Sequence, residues 1–304
     1  MIATVHELAI DIGGIPILVR TDSSEFADML GERYGEFVSS EAPNTDIALE
    51  IRLQEPGDAE NQAEDQYDRE LTVSMERSLW VMERGDFRAE WDPETNHGWV
   101  RTSVNQYSID GVLRILHSLI LAREGGLLVH GASAVRNGRA FVFAGVSGTG
   151  KTTISRLAPR DVTLLTDEIS YLRPPDRRQQ AISETSDSRF KIQDSGSRVP
   201  SPDSRAPDGY QAYGTPFAGE LARIGVKTKA PLAGLFLLQQ GPENRIEPVS
   251  EGQAVRELMR HILFFAHDPE LVELVFQTVC DFVKHVPVKR LVFKKDASVW
   301  KLIG

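Results

Sequence analysis

Eight consecutive residues, Gly145-Val-Ser-Gly-Thr-Gly-Lys-Thr152, follow the pattern G-x-x-x-x-G-K-[ST] without deviation. Glycines at these spacings let the backbone wrap so closely that its amides point at phosphate oxygens. The lysine then reaches the β and γ phosphates of a nucleoside triphosphate, and the threonine hydroxyl serves magnesium. A β-rich run, Phe141-Val-Phe-Ala144, feeds the loop, and a helix from Lys151 to about Leu157 is expected to leave it. The positive end of that helix adds to the attraction for anions. The expected contacts to ATP are Gly145, Ser147, Gly148, Thr149, Gly150, Lys151, Thr152 and Thr153, with Mg2+ on Thr152.

Two further groups are carried toward this loop by the elements around it. Asn137-Gly138 separates Leu127–Val135 from Ala140–Ala144, and Asn-Gly between β-rich runs signals a two-residue hairpin turn. In that register His130 falls opposite Gly145, beside the expected phosphates, although a lone histidine also serves as a structural hydrogen-bonder. The run Val162-Thr-Leu-Leu-Thr166 reads as a strand ending in Asp167-Glu168. Carboxylates at the end of a neighbouring strand suit a magnesium ligand and a proton acceptor for a hydroxyl, and the plainer alternative is a cap or turn. Gly214-Thr-Pro-Phe-Ala-Gly-Glu220 is a turn-rich stretch that could bring a further glutamate, a weaker signal. His261, His267 and His285 show no metal-ligand spacing and receive no role.

The elements that must hold these groups divide the chain in two. Residues 1–106 carry 23 acidic and 8 basic side chains, whereas the remainder carries 21 and 26. An acidic first module argues against nucleic-acid binding there, since phosphate contacts need Lys and Arg. That module reads as α+β. Ile15–Val19 and Ile47–Leu53 are expected strands. Ser23 or Ser24 caps a helix through Phe26, Met29, Leu30 and Tyr34, and two or three strands follow an acidic loop over 58–70. The tryptophans are expected to pack rather than to bind. The second module opens with a helix from about Ile109 to Arg123, ended by Gly125-Gly126. Its later elements are a polar loop over 176–209, expected to be mobile, a buried strand at Leu235–Leu238 and a helix from Gly252 to Phe265. A helix from Asp268 to His285, a strand at Val288–Phe293 and a short terminal helix capped by Asp296 complete it.

The single cysteine, Cys280, excludes an intramolecular disulfide and fits a reducing compartment. The first residues lack the pattern of a signal peptide, and no apolar run is long enough to span a membrane. A soluble, cytoplasmic protein with no membrane or nucleic-acid partner is expected.

Taken together, His130-Gly-Ala-Ser-Ala134, Gly145 to Ser155 and Leu165-Thr-Asp-Glu168 resemble HPr kinase/phosphorylase and phosphoenolpyruvate carboxykinase. Those families share a hairpin-fed phosphate loop followed by paired acids, and the likeness is specific over about residues 125–172. The opening Leu8–Arg20 and the closing Val286–Phe293 are more loosely similar to HPr-kinase-related proteins associated with PqqD-like partners and peptide modification. The resemblance implies phosphorylation of a serine hydroxyl, with His130, Lys151, Thr152, Asp167 and Glu168 in the reacting zone. HPr kinases carry two aspartates where this chain has Asp167-Glu168, and their C-terminal phosphorylase segment has no counterpart here. Carboxykinases are much longer.

The expectation is thus an α/β P-loop kinase domain of the HPr-kinase/PEP-carboxykinase type over 107–304, a mixed sheet with helices, preceded by a small α+β domain over 1–106. It would transfer phosphate from ATP with Mg2+ to a serine or threonine hydroxyl of a peptide or small protein. Lys151 would neutralise charge, Asp167 would activate the hydroxyl, and Glu168 and His130 would organise metal and phosphate. A small-molecule hydroxyl and a non-catalytic, nucleotide-switched peptide-binding module are the alternatives. A homo-oligomer is compatible with the chain.

Overall fold

The computed structural model describes residues 4–39, 45–54, 70–175, 209–221 and 223–304. The acidic stretch over 58–70, apart from Glu70, and the loop over 176–209, apart from Gly209, lie outside the described residues.

The chain builds two mixed sheets with helices, an α/β architecture. The first sheet holds β1 (His6–Ile12), β2 (Ile15–Thr21), β3 (Val38–Ser39), β4 (Ala48–Leu53), β5 (Thr72–Glu76), β6 (Leu79–Arg84), β7 (Phe87–Asp92) and β8 (His97–Thr102), in the order β3-β1-β2-β4-β8-β7-β6-β5. β2 alternates buried and half-buried positions, as a strand with one face on a core must. Trp80 and Trp91 stand directly opposite each other across β6 and β7, and both are buried. Helix α1 (Ser24–Tyr34) begins where the Ser23 hydroxyl accepts from the Phe26 amide at 3.2 Å. β1 and β8, for which no strand is expected from the sequence, fill the places beside β2 and β7.

Helix α2 (Gln106–Glu124) is capped by Asn105, whose side chain accepts from the Tyr107 amide, and ends at Gly125 in the left-handed region. It is buried on nearly all sides, from Ser108 to Ala122. Its apolar side chains join Ile10, Ile17, Phe26 and Trp80 of the first sheet, and Ile169, Tyr171 and Phe217 of the second half, in one core. Each such side chain removed from water contributes roughly 1.5–3 kcal/mol. Arg33 and Asp110 form an ion pair at 2.6 Å across this junction, and the Tyr34 hydroxyl donates to the same carboxylate at 2.8 Å.

The second sheet contains β9 (Leu127–Arg136), β10 (Arg139–Ala144), β11 (Val162–Thr166), β12 (Ile169–Arg173), β13 (Gln211–Tyr213), β14 (Lys229–Gln240), β15 (Arg245–Pro248) and β16 (Val288–Phe293). Strand β9 is long enough to serve two neighbourhoods. Its first half pairs with β12, and its second half lies between β10 and β11. β14 runs parallel to both β10 and β16, and with β13 it closes a ring of pairings through β12, β9 and β10. The hairpin register is the expected one, from Arg139 opposite Arg136 to Ala144 opposite Gly131, around a turn with Asn137 and Gly138 both at positive φ.

Helices cover the two faces of this sheet unequally. Helix α3 (Lys151–Arg156) and the 3-10 turn Ala297–Leu302 pack through Ile154, Val299 and Trp300 on Phe143, Phe236 and Phe293. On the opposite face, α4 (Glu251–Met259) and α5 (Pro269–His285) pack through Ala254, Leu258, Val279 and Phe282 on Val142, Leu235 and Leu237. The helix expected over 252–265 stops at Met259. Residues beyond it turn alongside β9, where His130 donates its amide to the His261 carbonyl at 2.7 Å and Leu263 donates to Leu128 at 2.8 Å. Pairing with a strand edge outcompetes continuation of the helix. Cys280, on α5, is half-buried. Among the described residues, no helix is long and apolar enough to cross a membrane.

Candidate functional site

The glycine-rich segment lies where strand β10 hands the chain to helix α3. Gly145 is buried against the strand end, Ser147 and Gly148 stand exposed at the tip, and Thr149 to Thr153 are half-buried. The turn is held by the Thr149 hydroxyl donating to the Val146 carbonyl at 2.7 Å and by the Ile154 amide donating to the Gly150 carbonyl at 2.9 Å. Gly150 has φ +114°, and a Cβ there would run into the Phe293 ring. Only glycine accepts both the dihedral and the close approach. Lys151 Nζ folds back to the Gly145 carbonyl at 2.7 Å. Burial lowers its pKa, opposed by the negative charges of Glu168 and Glu220.

The acids come from a junction stitched to a distant turn. Between β11 and β12, the Glu168 and Ile169 amides each donate to the Thr166 hydroxyl at 3.2 Å. Thr215 donates its hydroxyl to the Ile169 carbonyl at 3.0 Å and its amide to the Leu165 carbonyl at 3.1 Å. This brings the turn over 216–221 against the paired acids. Asp167 is 5% exposed, and its two oxygens accept from the Gly219 and Leu221 amides, each at 2.9 Å. Gly219 permits the approach, since a Cβ there would sit 2.5 Å from Glu168 Oε2. The residue between the two amides, Glu220, accepts a hydrogen bond from the Thr152 hydroxyl at 3.0 Å.

Glu168 is the acid left available. Its pKa is raised by burial, with Arg114 and Lys151 pulling it down and Asp167 and Glu220 pushing it up. His130 pairs with Ile169 across β9 and β12, and the Gly131 amide donates to the Glu168 carbonyl at 2.8 Å. Burial lowers the His130 pKa, and the charges of Lys151, His261 and Arg114 lower it further. The ring is therefore neutral at pH 7, a hydrogen-bonding group rather than a cation.

Lys151, Thr152, Glu168 and His130 are thus brought together, and Asp167 stands beside them. The expected proton acceptor or metal ligand, it ties down with both oxygens the turn that presents Glu220. Two further side chains lie close to these residues without a signal that the sequence reading used. Arg114 lies 4.7 Å from the Phe217 ring centroid, with its Nε buried and unpartnered, and its charge reaches Glu168 and His130. A lone arginine in the apolar run Val112-Leu-Arg-Ile-Leu116 was the available signal. His261 reaches the site only through the strand-like pairing beyond α4, which nothing local announces.

Among the described residues, no three of the His, Cys, Asp and Glu side chains converge closely enough to hold a metal by themselves. Magnesium seldom needs such a cage, because it is content with one or two protein oxygens, phosphates and water. Thr152 and Glu220, already in contact, are hard oxygen donors of that kind. The chain matches no protein-family model, and a comparison with curated proteins returns no match.

Proposed function

We propose that the protein is a P-loop phosphotransferase of the HPr-kinase type, moving the γ-phosphoryl group of ATP to a serine or threonine hydroxyl on a peptide or small protein. The observation that carries this reading is the convergence on one loop of Lys151, Thr152, Glu220, Glu168 and a neutral His130. The loop motif alone argues for triphosphate binding. The acids beside it argue for transfer to a hydroxyl.

Lys151 would leave the Gly145 carbonyl for the phosphates and neutralise charge as it builds on the γ-phosphoryl oxygens. Thr152 and Glu220 would hold magnesium, which supplies further charge neutralisation on the phosphates. The acceptor oxygen bonds to the γ-phosphorus as the bond to the β-phosphate oxygen breaks, and the hydroxyl proton passes to Glu168. A carboxylate whose pKa is raised by burial is a stronger base than an exposed one. His130 offers an uncharged hydrogen bond, and Asp167 keeps Glu220 in place.

Lys151→Ala is expected to abolish transfer of label from γ-labelled ATP and to weaken binding of a fluorescent triphosphate. Unchanged transfer in the variant would overturn the proposal. Tight triphosphate binding by the native chain, with no turnover on any hydroxyl, would instead favour a nucleotide-switched binding module.

A further inference from the structure

A cavity of about 450 Å³ adjoins the glycine-rich loop on the side away from helix α3. It meets the loop at Gly145, Val146 and Thr149, and its opposite wall is α4 with the turn beyond it. The two helices lie on opposite faces of the sheet, Ile154 of α3 in one core and Ala254 and Leu258 of α4 in the other. Arg256 of α4 and Arg260 of the turn after it thus flank the loop on the side of the sheet opposite α3, and Lys151 is bonded to the carbonyl of Gly145, which borders the same cavity.

Its lining is rich in hydrogen-bond donors and cations. Arg256 and Arg260, one helical turn apart, both border it, as do Ser250 and the nearly buried His261. The one carboxylate in the wall, Glu257, is already taken by Arg290 at 2.6 Å and by the Gln253 amide at 2.8 Å. Neither Arg256 nor Arg260 forms an ion pair among the described residues. Two adjacent guanidinium groups without a carboxylate partner, at the edge of a cavity, match the planar, bidentate geometry of a bound carboxylate.

We propose that this cavity is an acceptor subsite, in which Arg256 and Arg260 bind an acidic side chain flanking the hydroxyl of a peptide substrate. The inference rests on the phosphotransferase reading and names the class of acceptor, an acidic peptide. The acidic residue docks beside Gly145 and Val146 and so brings its neighbouring hydroxyl toward the loop.

Three fluorescent pools of serine-containing decapeptides test this, with the positions around serine drawn from Asp and Glu, from Ala and Gly, or from Lys and Arg. Binding is read by anisotropy with a non-hydrolysable triphosphate present, and transfer is read separately with γ-labelled ATP. The acidic pool is expected to bind about tenfold more tightly than the neutral one, the scale of one charge-assisted contact. The exposed pair Arg256→Gln with Arg260→Gln should bring it to the neutral level and leave triphosphate affinity unchanged. Equal binding of all pools, or a preference that survives the double variant, would overturn the subsite. A double variant that loses triphosphate affinity would also overturn it and assign the arginines to the nucleotide. Arginine-dependent binding without transfer would uphold the subsite and count against the phosphotransferase reading alone.

Discussion

Asp167 and Glu168 are neighbours in the chain, yet the fold gives them different surroundings. Asp167 spends both oxygens on backbone amides, whereas Glu168 is crowded by Arg114, Lys151 and Glu220 with its pKa raised by burial. Exchanging each carboxylate for its amide should therefore give two distinct phenotypes. Glu168→Gln removes the proton acceptor and is expected to lower transfer by about 10²-fold or more. Triphosphate binding and stability should change little. Asp167→Asn turns an NH2 toward one of the two backbone donors and should lower stability by about 1–3 kcal/mol. Transfer should fall with it, as Glu220 drifts from Thr152. Urea unfolding beside single-turnover transfer separates the pair, and matching profiles for both variants would refute the division of labour. The sequence could place both acids at a strand end near the loop. Which of them is free depends on amides more than fifty residues downstream, and no local pattern encodes that contact.

At the scale of elements, the hairpin and the glycine-rich loop were the most legible parts, because their determinants are local. Asn137-Gly138 sets the register, and β10 runs directly into the loop that α3 leaves. The site's other half is assembled from separated pieces and was less legible. The turn over 216–221 is held from below by Asp167 and from the side by Arg33, whose Nη1 donates to the Pro216 carbonyl at 3.0 Å. Arg33 belongs to α1 in the first half of the chain, so an element remote in sequence steadies the turn carrying Glu220. Arg33→Met should leave Asp110, 5% exposed, without its cation and cost about 3 kcal/mol, somewhat softened by the remaining Tyr34 hydrogen bond. It should also quicken hydrogen exchange at the Gly219 and Leu221 amides. Arg20→Met, which breaks only an exposed pair with Glu7, serves as the control and should leave those amides protected. Equal exchange in both variants would remove the proposed support.

Across the whole molecule, the two halves that composition separates by charge meet in a common core around α2, with charged contacts at its margins. Arg173 reaches both the Gly13 carbonyl and Glu124, and Lys227 pairs with Asp11 at 3.3 Å. Within this junction His117 is fully buried. Its Nδ1 donates to the Leu113 carbonyl at 2.7 Å, and its ring stands edge-on to Tyr171 with centroids 5.2 Å apart. Burial lowers its pKa from 6.5 to about 4, more than the Leu113 hydrogen bond can offset. The native state thus refuses a proton that the unfolded chain accepts once the pH drops below about 6.5. Stability conferred by the neutral ring is complete above that pH and is lost as the pH falls through about 4. The loss by that point should reach about 3 kcal/mol. Carboxylates also titrate in this range, so the informative quantity is a difference between two proteins. His117→Gln keeps a donor for Leu113 and cannot ionise. Urea unfolding from pH 8 to pH 4 should show the native protein losing about 3 kcal/mol more than the variant. Parallel pH profiles would mean that the ring at the junction accepts its proton without opening the core, and the burial argument would fail.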